Sequence, residues 1–454
     1  MQRIGAFALT SLAHQRSVRT KHLKHPEQLT PDELRAANEN MTADLERTTR
    51  VADSKAPGGF WLGVSYLFWP NCPINTTNRK SLVGAQLQEK LHEWRRIPER
   101  DVPIGAHCVL CDHAACGYFG KTGVPLAESA SYRNTTIPGH DGMALCRGCL
   151  LSLYALPYGC EIGGGRATAL HSWDDDFLRA VTTFQVRRTR KRALTPFSGT
   201  TMYAYARQLA GLSRLRGYEE TVTEGVELLV FTNSNKEQDL RSHTMNQPSS
   251  EWIRTLTRKQ TGLLGRAHRW EKVPGRSVLA RNLFDYPDRV LQTTARHLMA
   301  CADDSGMPPA STPELAEVCS SYAEKVLMVP DADLRHIDGL AQRIAHHVNR
   351  ADDNTEFKKF LQARRKLSTL RTWLQNQAIH RTLRTDEAEP FITEYQWRLL
   401  FDADDQVFFH RDLLVIGVLN HLHELDPKWR AAEPEPLADE DHLLDDDLDA
   451  ENNQ

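Results

Sequence analysis

Two pairs of cysteines constrain this chain more than any other feature of its sequence. Cys108 and Cys111 form one C-x2-C pair, Cys146 and Cys149 form the other, and residues 112–145 separate them. Two such pairs can supply the four thiolates of a tetrahedral zinc site. Doubling the length of a loop adds only about 0.6 kcal/mol of closure entropy, whereas structural zinc contributes roughly 10–16 kcal/mol. The long intervening segment therefore does not argue against one shared site.

The predicted zinc site is structural, because a catalytic zinc usually keeps one open position and four thiolates leave none. His113 and Cys116 lie close to the first pair as substitute ligands, although a set of four thiolates needs neither. The alternative is that the four cysteines simply pack in a core. No catalytic residues are predicted, since segments 120–122 and 410–413 match only fragments of the P-loop and kinase motifs.

Composition places the chain among ordinary soluble proteins. With 454 residues, 40% of them hydrophobic and 25% charged, it is long enough for two or three domains. Free thiolates and the lack of a disulfide-like spacing among the other cysteines indicate a reducing compartment, and we expect a cytoplasmic location. No apolar run approaches the roughly 18 residues of a membrane span, so no membrane partner is expected.

Charge is distributed unevenly along the chain. The net charge is −3, but ten acidic residues and no Lys or Arg follow Arg430, so that residues 1–430 carry +7. A basic body is suited to nucleic acid. The acidic segment contains proline and few large apolar residues, and it is predicted to be disordered. It would serve solubility, or compete with nucleic acid for the basic body.

Apolar periodicity predicts an α+β fold, with a zinc-containing mixed α/β N-terminal domain followed by a mainly helical C-terminal domain. Strands are predicted at 167–171 and 225–232, and an aromatic-rich extended stretch at 59–70. The strand signal fades after Gln238. The predicted regions are a basic N-terminal extension and helix (1–55), a zinc-knuckle α/β domain (56–238), a helical domain (239–428) and a disordered acidic tail (429–454).

The strongest basic cluster lies at the end of a predicted helix. It contains Arg187, Arg188, Arg190, Lys191 and Arg192, and no acid interrupts it. Cations at a helix C-terminus interact favourably with the macrodipole, but this interaction explains only one or two of the five basic residues. Binding of nucleic-acid phosphates is therefore predicted. Segments 254–272 and 364–384 are further basic clusters. Tryptophans are interleaved in the first, and the alternative is that they lie in the core. For the second, the alternative is an ordinary solvated face.

Several short motifs occur in the order found around the zinc-binding region of the CRISPR type I large subunit. They are YRN at 132–134, GMALCRGCLL at 142–151, ALPYGC at 155–160, HSW at 171–173 and VELLVFTN at 226–233. Over residues 105–235 the chain resembles that family, particularly its type I-B branch. The paired cysteines recur in many families, but this succession of motifs does not.

The resemblance implies a non-catalytic subunit of Cascade, the crRNA-guided surveillance complex of antiviral defence. Such a subunit inspects the protospacer-adjacent motif on target DNA, supports R-loop formation and recruits a separate nuclease-helicase. The implied partners are crRNA, double-stranded target DNA, the other Cascade backbone subunits and the nuclease-helicase. Arg133 and Asn134, within the matching motifs, become candidates for nucleic-acid binding.

Reading of bases would require short polar side chains on a loop. Segment 71–80 contains Asn71, Asn75, Asn78 and Lys80. Asn can pair with adenine and Lys with guanine in the major groove, so these four residues are candidates for motif recognition. An ordinary turn rich in Asn and Thr is the alternative.

Two other classes of protein remain open. Paired cysteines also frame zinc-containing HNH-type endonucleases, but His140-Asp141 reverses the Asp-His order of that motif, and Leu150 follows Cys149 where an asparagine is expected. A zinc-containing DNA-binding regulator would favour a compact helix-turn-helix, which the sequence does not reveal.

Overall fold

The computed structural model describes residues 1–14, 23–51, 53–80, 82, 84–98, 104–127, 142–194, 203–234, 237–350, 354–383, 389–402 and 406–429. These residues combine helices with two small antiparallel sheets and are mostly helical, which confirms the α+β prediction. The chain divides into two compact units. Unit 1 comprises Met1–Arg214 and Tyr218–Gln247, and unit 2 comprises Leu215–Gly217 and Pro248–Gln454. The predicted acidic tail, from Arg430 onward, lies outside the described residues.

Unit 1 contains helices and both sheets. Its helices are α1 (Gln2–Ala13), α2 (Pro31–Thr49), α3 (Phe60–Phe68), α4 (Thr76–Arg79), α5 (Ala85–Arg95), α6 (Arg147–Ala155), α7 (Asp175–Arg192) and α8 (Ala206–Arg216). Its strands are β1 (Gly117–Phe119), β2 (Met143–Leu145), β3 (Glu161–Gly163), β4 (Arg166–Ser172), β5 (Val226–Asn233) and β6 (Gln238–Met245).

The first helix, α1, corrects the prediction that residues 1–55 begin with a basic extension. Ile4, Phe7 and Leu12 are buried on it, and α1 packs against α6 and α7. Arg3 does not extend into solvent as part of a tail, since its guanidinium donates to Asp175 at 2.8 Å and stacks on Trp173. The basic residues of this segment therefore suggested an extension, although the segment forms a core helix.

The aromatic stretch at 59–70 is also different from its prediction. It forms α3, a helix instead of an extended segment, and Phe60, Val64 and Phe68 on it are buried in the core. Because apolar residues surround this helix on nearly every face, its sequence shows no 3.6-residue period. Such a buried helix cannot be distinguished from a buried strand by periodicity alone.

The larger sheet has the order β3-β4-β5-β6, and all its neighbouring strands are antiparallel. Both predicted strands are confirmed as β4 and β5, which pair in a register that places Ala167 opposite Phe231. The predicted boundary at 238 falls at the first residue of β6. This strand belongs to unit 1, and the two units divide after Gln247. The residues of β6 are polar and mostly exposed, so this segment lacks the apolar pattern that predicts a strand.

Unit 2 is helical throughout its described residues. Its helices are α9 (Gln247–Thr255), α10 (Arg258–Ala267), α11 (Gly275–Asp285), α12 (Asp288–Ser305), α13 (Thr312–Lys325), α14 (Asp331–Asn349), α15 (Thr355–Arg364), α16 (Leu367–Leu383), α17 (Glu394–Phe401) and α18 (Val407–Leu425). Helix α18 carries a long buried apolar run and packs against α12, α13, α14 and α17. The described elements from Gln247 onward are mainly helices, whereas residues 239–245 of the predicted helical domain belong to β6. Among the described residues, no helix of either unit is sufficiently long and apolar to cross a membrane.

Candidate metal centre and basic surface

The first cysteine pair lies on a tight turn that is closed by an isolated antiparallel bridge. His107 and Ala114 form the bridge, and the backbone N–H of Cys108 donates to the His113 carbonyl at 2.7 Å. Asp112 closes the turn with a φ of 61°, in the left-handed region that Asp tolerates better than most residues. The turn thus holds two thiols on one short segment.

The second cysteine pair lies at the start of α6. Strand β2 pairs with β1 and leads directly to Cys146, which is the N-cap of α6. The Cys149 backbone N–H donates to Cys146 Sγ at 3.4 Å. Gly142, which precedes β2, has a φ of 88°, and a Cβ at this position would lie 2.3 Å from a backbone atom of Phe119. Glycine is required there for β1 and β2 to approach each other.

The four sulfur atoms lie within 4.8 Å of one another. Cys111 Sγ is 3.5 Å from both Cys146 Sγ and Cys149 Sγ. A tetrahedral zinc with Zn–S bonds of about 2.3 Å would hold its sulfurs about 3.8 Å apart. A disulfide would need a separation of about 2.05 Å. The four cysteines could therefore hold a metal ion, and together they leave no open coordination position.

The hydrogen bonds among the thiols favour one thiolate in this cluster. The pKa of Cys146 is lowered to about 5 by hydrogen bonds from the Cys149 side chain and backbone. Burial raises the pKa of Cys111 to about 11, and the hydrogen bond to Cys146 raises the pKa of Cys149. Cys111 and Cys149 thus retain protons that a bound divalent metal would displace, because metal ligation requires thiolates.

His113 and Cys116 do not join the cluster of four sulfurs found among the described residues. His113 Nδ1 lies 3.1 Å from the Cys111 carbonyl oxygen, and the Cys116 backbone N–H donates to Leu145 O at 2.8 Å. Their contacts shape the turn and the β1–β2 pair.

Helix α1 supports the second cysteine pair, a role that the sequence did not predict. Gln2 Nε2 lies 3.7 Å from Cys149 Sγ. Further along α1, a Cβ on Gly5 would come within 1.9 Å of the Ser152 carbonyl oxygen of α6, so the two helices are in very close contact. The apolar spacing of Ile4, Phe7 and Leu12 is the signal that could have revealed this helix.

The predicted arginine cluster on α7 divides into two faces. Arg187, Arg190 and Lys191 are exposed, and their spacing of three and four residues places them on one face. We call these three residues the outer face. Arg188 and Arg192 are half-buried on the adjacent face, where Arg188 Nη2 lies 3.5 Å from Glu161 Oε1 on β3.

The predicted recognition loop at 71–80 is largely a structural turn. Asn75 is only 6% exposed, and its Oδ1 accepts from Ser65 Oγ at 2.5 Å. Asn78 Nδ2 donates to Asn71 O at 2.5 Å and to Cys72 O at 3.3 Å. This corrects the prediction for Asn75, whose amide is occupied by packing against α3 and does not face solvent.

The remaining candidates for nucleic-acid binding lie in different surroundings. Lys80 is exposed at the end of α4, and Asn71 has a φ of 65°, as expected in a tight turn. Arg133 and Asn134 lie outside the described residues. In the second basic cluster, Trp252 is buried in unit 2, whereas Trp270 is 65% exposed.

Comparisons of this chain with protein-family models, with curated proteins and with solved structures found no match.

Proposed function

We propose that this protein is a cytoplasmic, non-catalytic subunit of a type I crRNA-guided surveillance complex. Its partners would be crRNA, double-stranded target DNA, the other backbone subunits of Cascade and the nuclease-helicase. The observation that carries this proposal is the presence in unit 1 of both a closed four-cysteine centre and an exposed arginine face. The succession of short motifs around the second cysteine pair supports the same family.

In this proposal the cysteine centre binds zinc and has an architectural role. Zinc would fix the turn of Cys108 and Cys111 to the N-terminus of α6, and would thereby order the zinc-bearing mixed domain that precedes the helical domain. Four thiolates fill a tetrahedral shell, so no water or substrate needs to reach the metal.

Nucleic acid would be bound mainly through phosphates. Arginine and lysine on an exposed face contribute affinity without reading sequence. In a guided complex, pairing with crRNA supplies most of the sequence information, and the protein inspects only a short duplex motif. Because the amide of Asn75 is buried, motif recognition would depend on other residues of unit 1.

The decisive test is purification of the full chain from cells that also express the other proposed subunits and a CRISPR array. Copurification of one discrete RNA of crRNA length supports the proposal. If the isolated protein instead cleaves DNA in a divalent-dependent manner, the HNH-type endonuclease is favoured. Sequence-specific duplex binding without RNA would point to the DNA-binding regulator.

A further inference from the structure

The four-stranded sheet of unit 1 has two unequal edges. At one edge, β3 contains only three residues, and its Gly163 carbonyl accepts a hydrogen bond from Arg207 Nη2 at 3.0 Å. At the other edge, β6 contains eight residues, and it pairs with β5 along its whole length without a bulge. One edge is therefore short and partly satisfied by a side chain, whereas the other is long and regular.

The outward side of the β6 backbone has no hydrogen-bond partner among the described residues. For residues 238–242, backbone pairing is found only with β5. Leu240, Arg241 and Ser242 are exposed, and the exposed fraction of Leu240 is 50%. An edge strand of this kind presents a row of N–H and C=O groups that can pair with another strand.

Sheet edges are usually protected against pairing with another chain. Common protective features are Pro, Lys, a bulge or a very short strand. The sequence of β6, QDLRSHTM, contains neither Pro nor Lys. Asp239 and Arg241 are its acidic and basic residues, and Asp239 Oδ2 lies 3.0 Å from Arg241 Nε. Because these charges have opposite signs, the edge does not repel a second strand of the same sequence.

Charge complementarity indicates which strand fits this edge. When a second β6 pairs antiparallel about Leu240, each Asp239 lies opposite Arg241 of the copy, and the two leucines meet at the two-fold axis. In either neighbouring register the axis would pass Asp239 or Arg241, and would place that residue opposite its own copy. Like charges would then face each other, which is unfavourable. Intermediate registers are excluded because they would pair side chains from opposite faces of the sheet.

We propose that β6 pairs with β6 of a second copy of this chain, about a two-fold axis at Leu240. Two four-stranded sheets would thereby join into one continuous antiparallel sheet. A single pair of strands is a small interface, so we expect a weak dimer that dissociates in roughly the micromolar range. The inference does not depend on the proposed function, since strand pairing needs neither the metal nor nucleic acid.

The test measures self-association of the full chain by sedimentation velocity over a wide range of protein concentration. Reducing buffer excludes dimers linked through the exposed Cys111. The wild type should approach a dimer as its concentration rises. Leu240→Lys places two ammonium groups opposite each other at the axis, and should raise the dimer dissociation constant by roughly tenfold or more.

Leu194→Lys is the matched control for this variant. Leu194 is 70% exposed and follows α7, outside the sheet of unit 1. The same change of side chain there should leave the dimer dissociation constant as in the wild type. The midpoint of thermal unfolding checks that every variant is folded.

A pair of charge-exchange variants tests the register. Arg241→Glu brings two acids together across the axis, and Asp239→Lys brings two bases together, so each variant alone should be monomeric. In an equimolar mixture of the two variants every acid lies opposite a base, and a mixed dimer should form. Arg166 also pairs with Glu237 at 2.5 Å, so it keeps one carboxylate partner when Asp239 is replaced.

The possible results decide the inference without reference to crRNA binding. A wild-type protein that stays monomeric at every concentration would overturn it, and would leave the β6 edge to a strand of another protein. A dimer of unchanged strength in folded Leu240→Lys would show that the contact lies elsewhere. A charge-exchange mixture that stays monomeric would contradict pairing about Leu240. Copurification of crRNA tests the proposed function separately.

Discussion

The interior of unit 1 and the interior of unit 2 differ in composition. In unit 1 the hydrophobic core includes Cys108 and Cys149, two of the four thiols that could hold a metal ion, whereas Cys111 is exposed. In unit 2 the apolar helix α18 packs against several neighbours, and no metal-binding cluster occurs among its described residues. If the four cysteines bind a metal, we expect folding of unit 1 to be linked to metal binding, whereas unit 2 depends on helix packing.

The largest expected effect is loss of the metal from unit 1. Cys146→Ser should abolish stoichiometric zinc binding and destabilise unit 1 by up to about 10 kcal/mol, because structural zinc contributes its binding energy to folding. Metal analysis of reduced protein and hydrogen exchange resolved by unit measure this. Cys116→Ser is the control and should keep the metal. Wild-type exchange in unit 1 of a metal-free Cys146→Ser protein would show that the cysteines merely pack.

A smaller effect is expected at the contact between α1 and α6. Gly5→Ala places a Cβ 1.9 Å from the Ser152 carbonyl oxygen, so the helices must separate. Overpacking of this kind costs about 3 kcal/mol, and zinc affinity should also fall because α6 carries Cys146 and Cys149. Chemical denaturation and a competitive zinc chelator measure the two effects.

Two glycines of unit 2 provide matched controls for Gly5. In Gly417→Ala the new Cβ would lie 2.9 Å from the Cβ of Ala341, and unit 2 should lose about 1 kcal/mol with no change in zinc affinity. Gly262 has nothing within 4 Å, and Gly262→Ala should stabilise α10 by about 0.5 kcal/mol. Unchanged zinc affinity in Gly5→Ala would separate α1 from the metal centre.

These contacts explain which parts of the molecule the sequence could predict. Cysteine pairs are informative because metal geometry imposes their spacing locally, and the structure does bring Cys108, Cys111, Cys146 and Cys149 together. Alternation and apolar runs likewise predicted β4 and β5. In contrast, α3 is apolar on nearly every face and shows no helical period, so it was mistaken for an extended stretch.

The basic surface shows which features of the candidate site the sequence alone cannot predict. Positions 187–192 predicted charge density, but only the structure shows that Arg188 and Arg192 face β3. Arg207 on α8 also lies near Glu161 although it is distant in the sequence, which no local pattern indicates. For Asn75, the composition of the turn could not reveal that Ser65 would bind its amide oxygen.

The pH dependence of unit 2 provides a third test. Burial lowers the pKa of His268 to about 4, and His297 contributes in the same direction. The unfolded chain, with a pKa of about 6.5, binds the proton first as the pH falls. Stability is therefore fully present above about pH 6.5 and is lost towards pH 4, by up to about 3 kcal/mol. His268→Gln should remove most of this slope in denaturation curves of unit 2, and an unchanged slope would contradict the assignment.

The smallest expected effect compares the basic surfaces of the two units. Arg187→Gln/Arg190→Gln removes two exposed charges from the outer face of unit 1, and Arg266→Gln/Arg269→Gln removes two exposed charges from unit 2. If phosphates are bound by unit 1, the first variant should flatten the salt slope by about 1.4–1.8, and the second should leave it nearly unchanged. Net charge changes equally in both, so a general electrostatic effect would alter both slopes alike. A larger change in the unit 2 variant would instead place the main phosphate contacts beside the exposed Trp270, where stacking with bases could accompany them.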